Sequence, residues 1–314
     1  MLSYLVKRLV GIIPVLLIVS IFTFLLIHII PGDPAGNILG PHAPKEEILA
    51  LRSKLGLDQP IFIQYFNWLN RLFSGDMGES ITTGRPVLQM ILMRLPVTLA
   101  MTLLATVISI LIAIPLGVIA AVKQNSKTDL FSMLAALLGI SVPSFWLGIM
   151  LIYLFSVKLG WLPSIGYVPL TENFREASKF LILPAASMGM VLAAVVTRMV
   201  RSSMLEVLRQ EYITTARSKG LSELAVIIRH GLKNALIPVI TVIGLNFGYL
   251  LGSTVVIEQV FTLPGVGSMV ITAILGRDYP VLQGVLLFIT FFYLIINLIV
   301  DMLYSFLDPR IRLS

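Results

Sequence analysis

Residues 97–121 read VTLAMTLLATVISILIAIPLGVIAA, a stretch that contains no Asp, Glu, Lys, Arg or His. A helix needs about 20 apolar residues to cross the hydrocarbon core of a bilayer. Lipid offers backbone groups no hydrogen-bonding partner, so a helix is the expected form. Similar apolar stretches predict further spans at 9–30, 130–157, 180–199, 235–257 and 281–303. The expected fold is therefore an all-α polytopic membrane protein with six transmembrane helices.

The composition supports a chain whose solvent is lipid. The 314 residues are 57% hydrophobic and 12% charged, whereas soluble domains carry about 25% charged residues. The absence of cysteine excludes a disulfide framework, a thiolate metal site and cysteine catalysis. The first apolar run, which follows Lys7 and Arg8, exceeds the core of about 7–15 residues of a signal peptide. We therefore interpret it as an uncleaved anchor.

The distribution of charge predicts the orientation, because Lys and Arg are enriched in cytoplasmic loops. If the N-terminus is cytoplasmic and six spans follow, the cytoplasmic side receives thirteen of the 23 basic residues and six of the 16 acidic ones. The whole excess of +7 then lies on that side. We expect both termini to be cytoplasmic, and the basic charge to reflect orientation in the membrane, with no nucleic-acid partner.

The chain is predicted to divide into two parts. Residues 1–95 would form the anchor helix and an external segment, and residues 96–314 a five-helix core with a cytoplasmic loop at 200–234. In the external segment, 45–55 has the spacing of an amphipathic helix, which Gly56 can cap. The aromatic-rich stretch 59–73 fits three interpretations: an interfacial helix, a docking surface for an external partner, or a plug packed on the bundle.

The loop 200–234 contains two helix-like stretches separated by Gly220. The first is predicted at about 203–219, and Gly220 suits the position after its end because a left-handed conformation costs glycine nothing. Ser222 can cap the second stretch, which continues into the fifth span. Such a surface helix either covers the end of the bundle or fits a cleft on a cytoplasmic partner.

The segment 211–220, EYITTARSKG, resembles the loop signature of permease subunits of binding-protein-dependent ABC importers. The general form is E-A-A, three residues, G, nine residues, then I-x-L-P, and this chain keeps Ala216, Gly220 and Leu232. It departs from that form at Thr214, Thr215, His230 and Lys233. These departures are similar to the peptide/nickel branch, with Y-x-x-T-A-R-x-K-G and then H-x-L-x-N-A-x-x-P. The matching residues are Tyr212, Thr215, Ala216, Arg217, Lys219, Gly220, His230, Leu232, Asn234, Ala235 and Pro238.

Shorter segments extend the resemblance over nearly the whole chain. They are PGDP at 31–34, LGLDQP at 55–60, GWLP at 160–163, PGVG at 264–267, RDYP at 277–280 and DPR at 308–310. The resemblance implies a type I importer permease fold with a coupling helix within 206–222 that docks into a groove of an ATPase subunit. The residues expected to carry this coupling are Glu206, Glu211, Tyr212, Thr215, Ala216, Arg217, Lys219 and Gly220.

The resemblance also implies partners and a substrate class. The partners would be a homologous second permease subunit, two ATPase subunits and an external solute-binding protein. The expected cargo is a di- or oligopeptide, and glutathione or a nickel chelate is the alternative within the same branch. No cofactor or metal is expected on this chain, and membrane lipid is its surroundings.

Three other function classes find little support in the residues. An ion-coupled transporter needs ionisable groups near mid-membrane, whereas Glu258 and Asp301 lie near span ends. The histidines His28, His42 and His230 stand in no hydrolase or zinc motif. The chain has no G-x-x-x-x-G-K-[ST] phosphate loop. It is thus not expected to be an enzyme, and any ATP would be hydrolysed by partner subunits.

Overall fold

The computed structural model describes residues 2–29, 34–40, 43–54, 56–169 and 171–307. Residues 31–33 of the PGDP segment, His42, Leu55 and the tail signature at 308–310 lie outside these described residues. In the described ranges the chain is helical, and the one β pairing is an isolated antiparallel bridge between Glu79 and Pro86.

The helices follow one another with short connections. They are α1 (Leu2–Ile29), α2 (Pro34–Leu39), α3 (Lys45–Lys54), α4 (Ile61–Phe73), α5 (Val87–Val122), α6 (Lys127–Ser141), α7 (Ser144–Lys158), α8 (Phe174–Leu208), α9 (Glu211–Ser218), α10 (Glu223–Val260), α11 (Val266–Leu275) and α12 (Tyr279–Leu307). Two stretches, Ile152–Lys158 in α7 and Val226–Leu232 in α10, wind as π-helix.

Six membrane spans are accounted for in the described part of the chain, but the third is broken. Five helices, α1, α5, α8, α10 and α12, are long and apolar enough to cross a bilayer, and α6 with α7 makes a sixth if the pair counts as one span. The pair is bent by 101°. Pro143 stands at the break, and the residue before a proline is disfavoured in helical conformation, as the extended Val142 shows. The span predicted at 130–157 is therefore bent at Pro143.

Contacts group the chain into two compact units. The first contains residues 1–97 and 264–295, and the second contains 98–263 and 296–314. In the structure, residues 264–295 group with the N-terminal residues. The division into 1–95 and 96–314 stays a prediction about domains.

In the second unit, α8 is the central helix and packs against α6, α7 and α10. Small residues allow α5 to approach it closely. A Cβ added at Gly189 would lie 2.6 Å from the Ala105 carbonyl oxygen, and one added at Gly117 would lie 2.6 Å from the Val200 Cβ. Close approach through small residues is how helices pack where lipid removes the hydrophobic drive between them.

In the first unit, apolar side chains of α5, α11 and α12 form a buried core, which comprises Val87, Ile91, Val266, Met269, Ala273, Val281 and Val285. A buried carboxylate lies in the same unit. Asp278 accepts hydrogen bonds from the hydroxyls of Ser80, at 2.6 Å, and Thr82, at 2.8 Å. The backbone amides of Ile81 and Thr82 donate to it as well. Asp278 therefore fastens the 80–82 turn to the connection between α11 and α12.

Candidate functional site

The loop 200–234 folds differently at its start from what the sequence pattern predicts. A helix was expected over about 203–219, but α8 continues to Leu208 and a separate helix, α9, begins at Glu211. Ser203 and Met204 are buried within α8. Gln210 is extended (φ −73°, ψ 147°) and makes the break. The first part of the loop is thus an extension of the fourth span, and the surface helix is shorter than predicted.

Two side chains fasten α9 to the rest of the second unit. Of its eight residues, all within the described part, Ile213 and Ala216 are buried. They lie three apart, on one side of a helix, and they form a small core with Val226 of α10. Val207 and Leu208 of α8 pack against this core. The remaining residues of α9 are exposed: Glu211, Tyr212, Thr214, Thr215, Arg217 and Ser218. The helix α9 is therefore attached through Ile213 and Ala216, the apolar anchor, and its exposed residues form an open face.

The turn after α9 agrees with the role predicted for Gly220. Its φ is +77°, in the left-handed region that favours glycine. Its amide donates to the Arg217 carbonyl at 2.9 Å, and Lys219 before it is the exposed C-cap. Gly220 therefore ends α9 and reverses the chain towards α10, as expected from the sequence.

An ion pair crosses this turn. The Arg217 guanidinium donates to both oxygens of Glu223, from Nη2 at 2.7 Å and from Nε at 3.1 Å. Glu223 thereby raises the pKa of Arg217. Ser222 occupies the N-cap position of α10, but in the described structure its side chain makes no capping hydrogen bond. The cap predicted for its hydroxyl is absent, and the Arg217–Glu223 pair holds the turn.

A second link joins α9 directly to the base of α10. The Asn234 side-chain amide donates to the Tyr212 hydroxyl at 3.0 Å and also to the His230 carbonyl at 3.0 Å. Tyr212, His230 and Asn234 are all positions of the signature quoted above. The signature residues thus contact one another across the loop.

Glu206 lies away from the other predicted coupling residues. It is exposed in the last turns of α8 rather than on α9. It lines a shallow polar depression of about 430 Å³ whose other lining residues are Arg201, Ser202, Leu205, Arg209 and Gln210. Thr215 and Glu211 are both on α9, where the Thr215 hydroxyl donates to the Glu211 carbonyl at 3.1 Å.

Sequence reasoning missed an ion pair beside this site. The Arg201 guanidinium donates to both oxygens of Asp129, at 2.6 and 2.7 Å. The Asp129 side chain is 6% exposed and that of Arg201 24%. Asp129 also accepts from the amide of Asn125, whose φ is +62°. The pair ties the first turn of α6 to the C-terminal part of α8. The available signal was the single acidic residue in a basic loop at a span boundary.

The helix α9 has a charged, exposed surface and is attached to its neighbours at few points. The open face of α9 and its turn carry both signs of charge, from Glu211, Arg217 and Lys219, around exposed Thr and Ser hydroxyls. Its attachments lead to two long helices, α8 through Val207 and Leu208, and α10 through Val226 and Asn234. A force on α9 would therefore reach two spans directly.

Comparisons with known proteins identify the family of this chain. Residues 113–313 match the family described as binding-protein-dependent transport system inner membrane component, and residues 1–102 match its N-terminal counterpart. A putative peptide transport system permease protein of Brucella abortus (strain 2308) is 49% identical over 312 residues, 99% of either chain. The glutathione transport system permease protein GsiC of Escherichia coli (strain K12) is 44% identical over the same length, again 99% of either chain.

A solved structure shares the fold. The inward-facing MetNI methionine ABC transporter superposes with a TM-score of 0.59 at 20% identity, over 70% of this chain and 97% of that one. At this identity the likeness concerns the fold alone. It confirms the importer-permease architecture that the sequence resemblance implied.

Proposed function

The chain belongs to the family of binding-protein-dependent transport system inner membrane components, in the branch that contains peptide and glutathione permeases, and from this premise we propose that it forms half of the translocation path of an ATP-driven importer of di- and oligopeptides. It is a multi-pass protein of the inner membrane. The other half of the path comes from a homologous second permease subunit. An external solute-binding protein delivers the cargo, and two ATPase subunits supply the energy.

The observation that carries this proposal is the way α9 is mounted. The helix is held by Ile213 and Ala216, and the rest of its surface is exposed. Such a helix can fit into a groove on another subunit. The chain has no phosphate-binding loop of its own, so a nucleotide-driven motion has to enter through contact. The basic excess supports a cytoplasmic position for this loop, where ATP is available.

The proposed coupling runs from α9 into the spans. Closure of the ATPase subunits around ATP pushes α9, and the apolar anchor passes that displacement to α8 and α10. The Tyr212–Asn234 and Arg217–Glu223 contacts keep α9 from turning on its anchor. The bundle then changes from inward-facing to outward-facing. In this mechanism each residue of the loop has a positional role, and none binds nucleotide.

The test separates coupling from insertion. Ala216→Asp places a carboxylate in the apolar anchor, where an unpaired charge is costly, and Ala216→Ser serves as the matched control of similar size. With the partner subunits reconstituted in liposomes, we expect Ala216→Asp to abolish ATP-dependent peptide uptake while the chain still inserts and ATP is still hydrolysed. Full uptake by Ala216→Asp, at wild-type amounts of inserted protein, contradicts the proposal.

Glutathione is the second candidate cargo. It is favoured by the 44% identity to a permease whose name specifies glutathione, and a nickel chelate is a further alternative in the branch. Competition settles the cargo: uptake of a labelled dipeptide by the whole importer is measured against excess tripeptide, glutathione or chelated nickel. We expect peptides to compete. Transport of glutathione without competition by peptides would replace the first candidate by the second.

A further inference from the structure

The amphipathic helix α4 carries a stripe of large apolar side chains, most of which are exposed in the described structure. Phe62, Phe66, Leu69 and Phe73 recur at spacings of four, three and four, which places them on one side of the helix. The three phenylalanines are 62%, 65% and 82% exposed. Neither the transport path nor the coupling loop uses this stripe.

The opposite, polar side of α4 differs sharply. It carries Asn67 and Arg71, both exposed. Between the two lies a third side, with Gln64, Tyr65 and Trp68, that packs on α1. A helix with one side against a span, one polar side and one apolar side is built for a boundary between water and a nonpolar medium.

The contacts with α1 give the depth of α4. The Tyr65 hydroxyl lies 2.8 Å from the Ser20 hydroxyl, and the Phe24 ring lies 5.3 Å from that of Tyr65 and 5.7 Å from that of Trp68. Gln64 Oε1 lies 3.3 Å from His28 Nε2. These contacts fall in the last ten residues of α1, at the end of the first span. The amphipathic helix is therefore held at the edge of the hydrocarbon layer.

The stripe is continuous with a surface that already faces lipid. Close to these contacts, α1 exposes Ile18, at 67%, and Phe22, at 59%. The helix α1 is apolar enough to cross the bilayer. We propose that α4 lies at the external surface of the inner membrane, where lipid meets water, and inserts Phe62, Phe66 and Phe73 among the lipid acyl chains. Such helices bury their apolar face about 5–10 Å below the headgroup boundary.

Lipid fits this stripe better than a protein partner does. The stripe contains no hydrogen-bonding group, whereas a transient docking surface for a solute-binding protein is as polar as the rest of a protein surface. The polar residues of α4 face away from the stripe, towards water. Of the three interpretations of residues 59–73 given above, the structure thus favours the interfacial helix.

The chain has no native cysteine, so single probes test the proposal directly. Phe66→Cys in the stripe and Arg71→Cys on the polar side are each labelled with an NBD fluorophore. The whole importer is reconstituted in phosphatidylcholine/phosphatidylglycerol vesicles that contain doxyl lipids, and iodide serves as the quencher in water. Phe73→Cys repeats the measurement at a second, more exposed position of the stripe.

We expect doxyl lipid to quench the probe at 66 several-fold more strongly than the probe at 71, and iodide to show the reverse. Equal iodide quenching at 66 and 71 would mean that the stripe lies in water, and it overturns the proposal. Protection at 66 and 73 from both quenchers would mean that protein covers the stripe, and it overturns the proposal as well. Because the readout is independent of transport, it does not depend on the proposed cargo.

Discussion

The side-chain amide of Asn234 donates to the hydroxyl of Tyr212 across 3.0 Å, and this contact links the surface helix α9 to the base of the span helix α10. The same amide donates to the His230 carbonyl. Asn234 is therefore held in place by its own helix while it positions the helix before it. In the proposed mechanism this hydrogen bond keeps the direction in which α9 transmits force.

Tyr212→Phe removes this hydrogen bond and leaves the ring. An exposed hydrogen bond contributes at the low end of about 0.5–1.5 kcal/mol, so we expect roughly a twofold loss of peptide imported per ATP hydrolysed. Asn234→Ala should produce a similar loss, and the double variant should be no worse than Asn234→Ala alone, because both changes remove one contact. Tyr249→Phe, which removes an exposed hydroxyl elsewhere on α10, is the control. Fully additive losses would show that the two residues act separately.

Gly220 is the position where the backbone conformation determines the effect of a substitution. At φ +77° a side chain is strained by roughly 1–2 kcal/mol, although no atom lies within 4 Å of an added Cβ. Gly220→Ala should weaken coupling measurably, and Gly220→Pro should remove it, because proline also loses the hydrogen bond to the Arg217 carbonyl. Uptake and ATP hydrolysis are measured in parallel. Gly252→Ala, in α10 with the same free space, should transport normally. Wild-type coupling in Gly220→Pro rules out a role for this turn.

The Asp129–Arg201 pair should stabilise the second unit. Asp129→Asn leaves the Arg201 guanidinium without a counter-charge. Breaking a fully buried pair costs about 3–5 kcal/mol, and the 24% exposure of Arg201 reduces this to roughly 2 kcal/mol. We expect Asp129→Asn to unfold in detergent at a clearly lower temperature. Asp129→Asn combined with Arg201→Met should recover part of the loss, since no lone charge remains. A double variant less stable than Asp129→Asn alone is the contrary result.

Asp278 should stabilise the first unit through its four hydrogen bonds to residues 80–82. Asp278→Asn places an amide group where donors already converge, and hydrogen bonds to a charged group are worth about 1.5–3 kcal/mol. We expect faster proteolysis of the 74–86 segment in the intact protein. Asp76→Asn is the matched control, because that carboxylate is exposed and accepts from the Gly78 amide. If both variants are cut at the same rate, the buried carboxylate has no special role.

Much of the fold follows from the sequence because membrane spans are long and uniformly apolar. The same uniformity hides where a span breaks: residues 130–156 contain no charge, yet the chain turns by 101° at Pro143. A proline alone does not identify such a break. Pro184 and Pro238, by contrast, lie inside helices that continue through them.

The turn after α9 was predicted because its determinant is local: Gly220 favours the left-handed conformation that it adopts. Ile213, which is buried in α9 together with Ala216, was not singled out from the sequence. The end of α8 was misplaced because helical spacing runs on from Ser203 into α9, and the break at Gln210 depends on burial of Met204 and on the apolar core around Val226. Asp129 and Arg201 are 72 residues apart, so no pattern within either segment could pair them.

Site-specific photo-cross-linking tests whether an ATPase subunit contacts the open face of α9. In the cysteine-free chain, a benzophenone probe is attached to Ser218→Cys on α9 or to Thr171→Cys in the exposed connection before α8. The assembled, transport-active importer is then irradiated and the adducts are identified by mass. We expect the probe at 218 to capture the ATPase subunit and the probe at 171 not to capture it. An active importer in which 218 yields no ATPase adduct, or in which 171 does, contradicts this expectation.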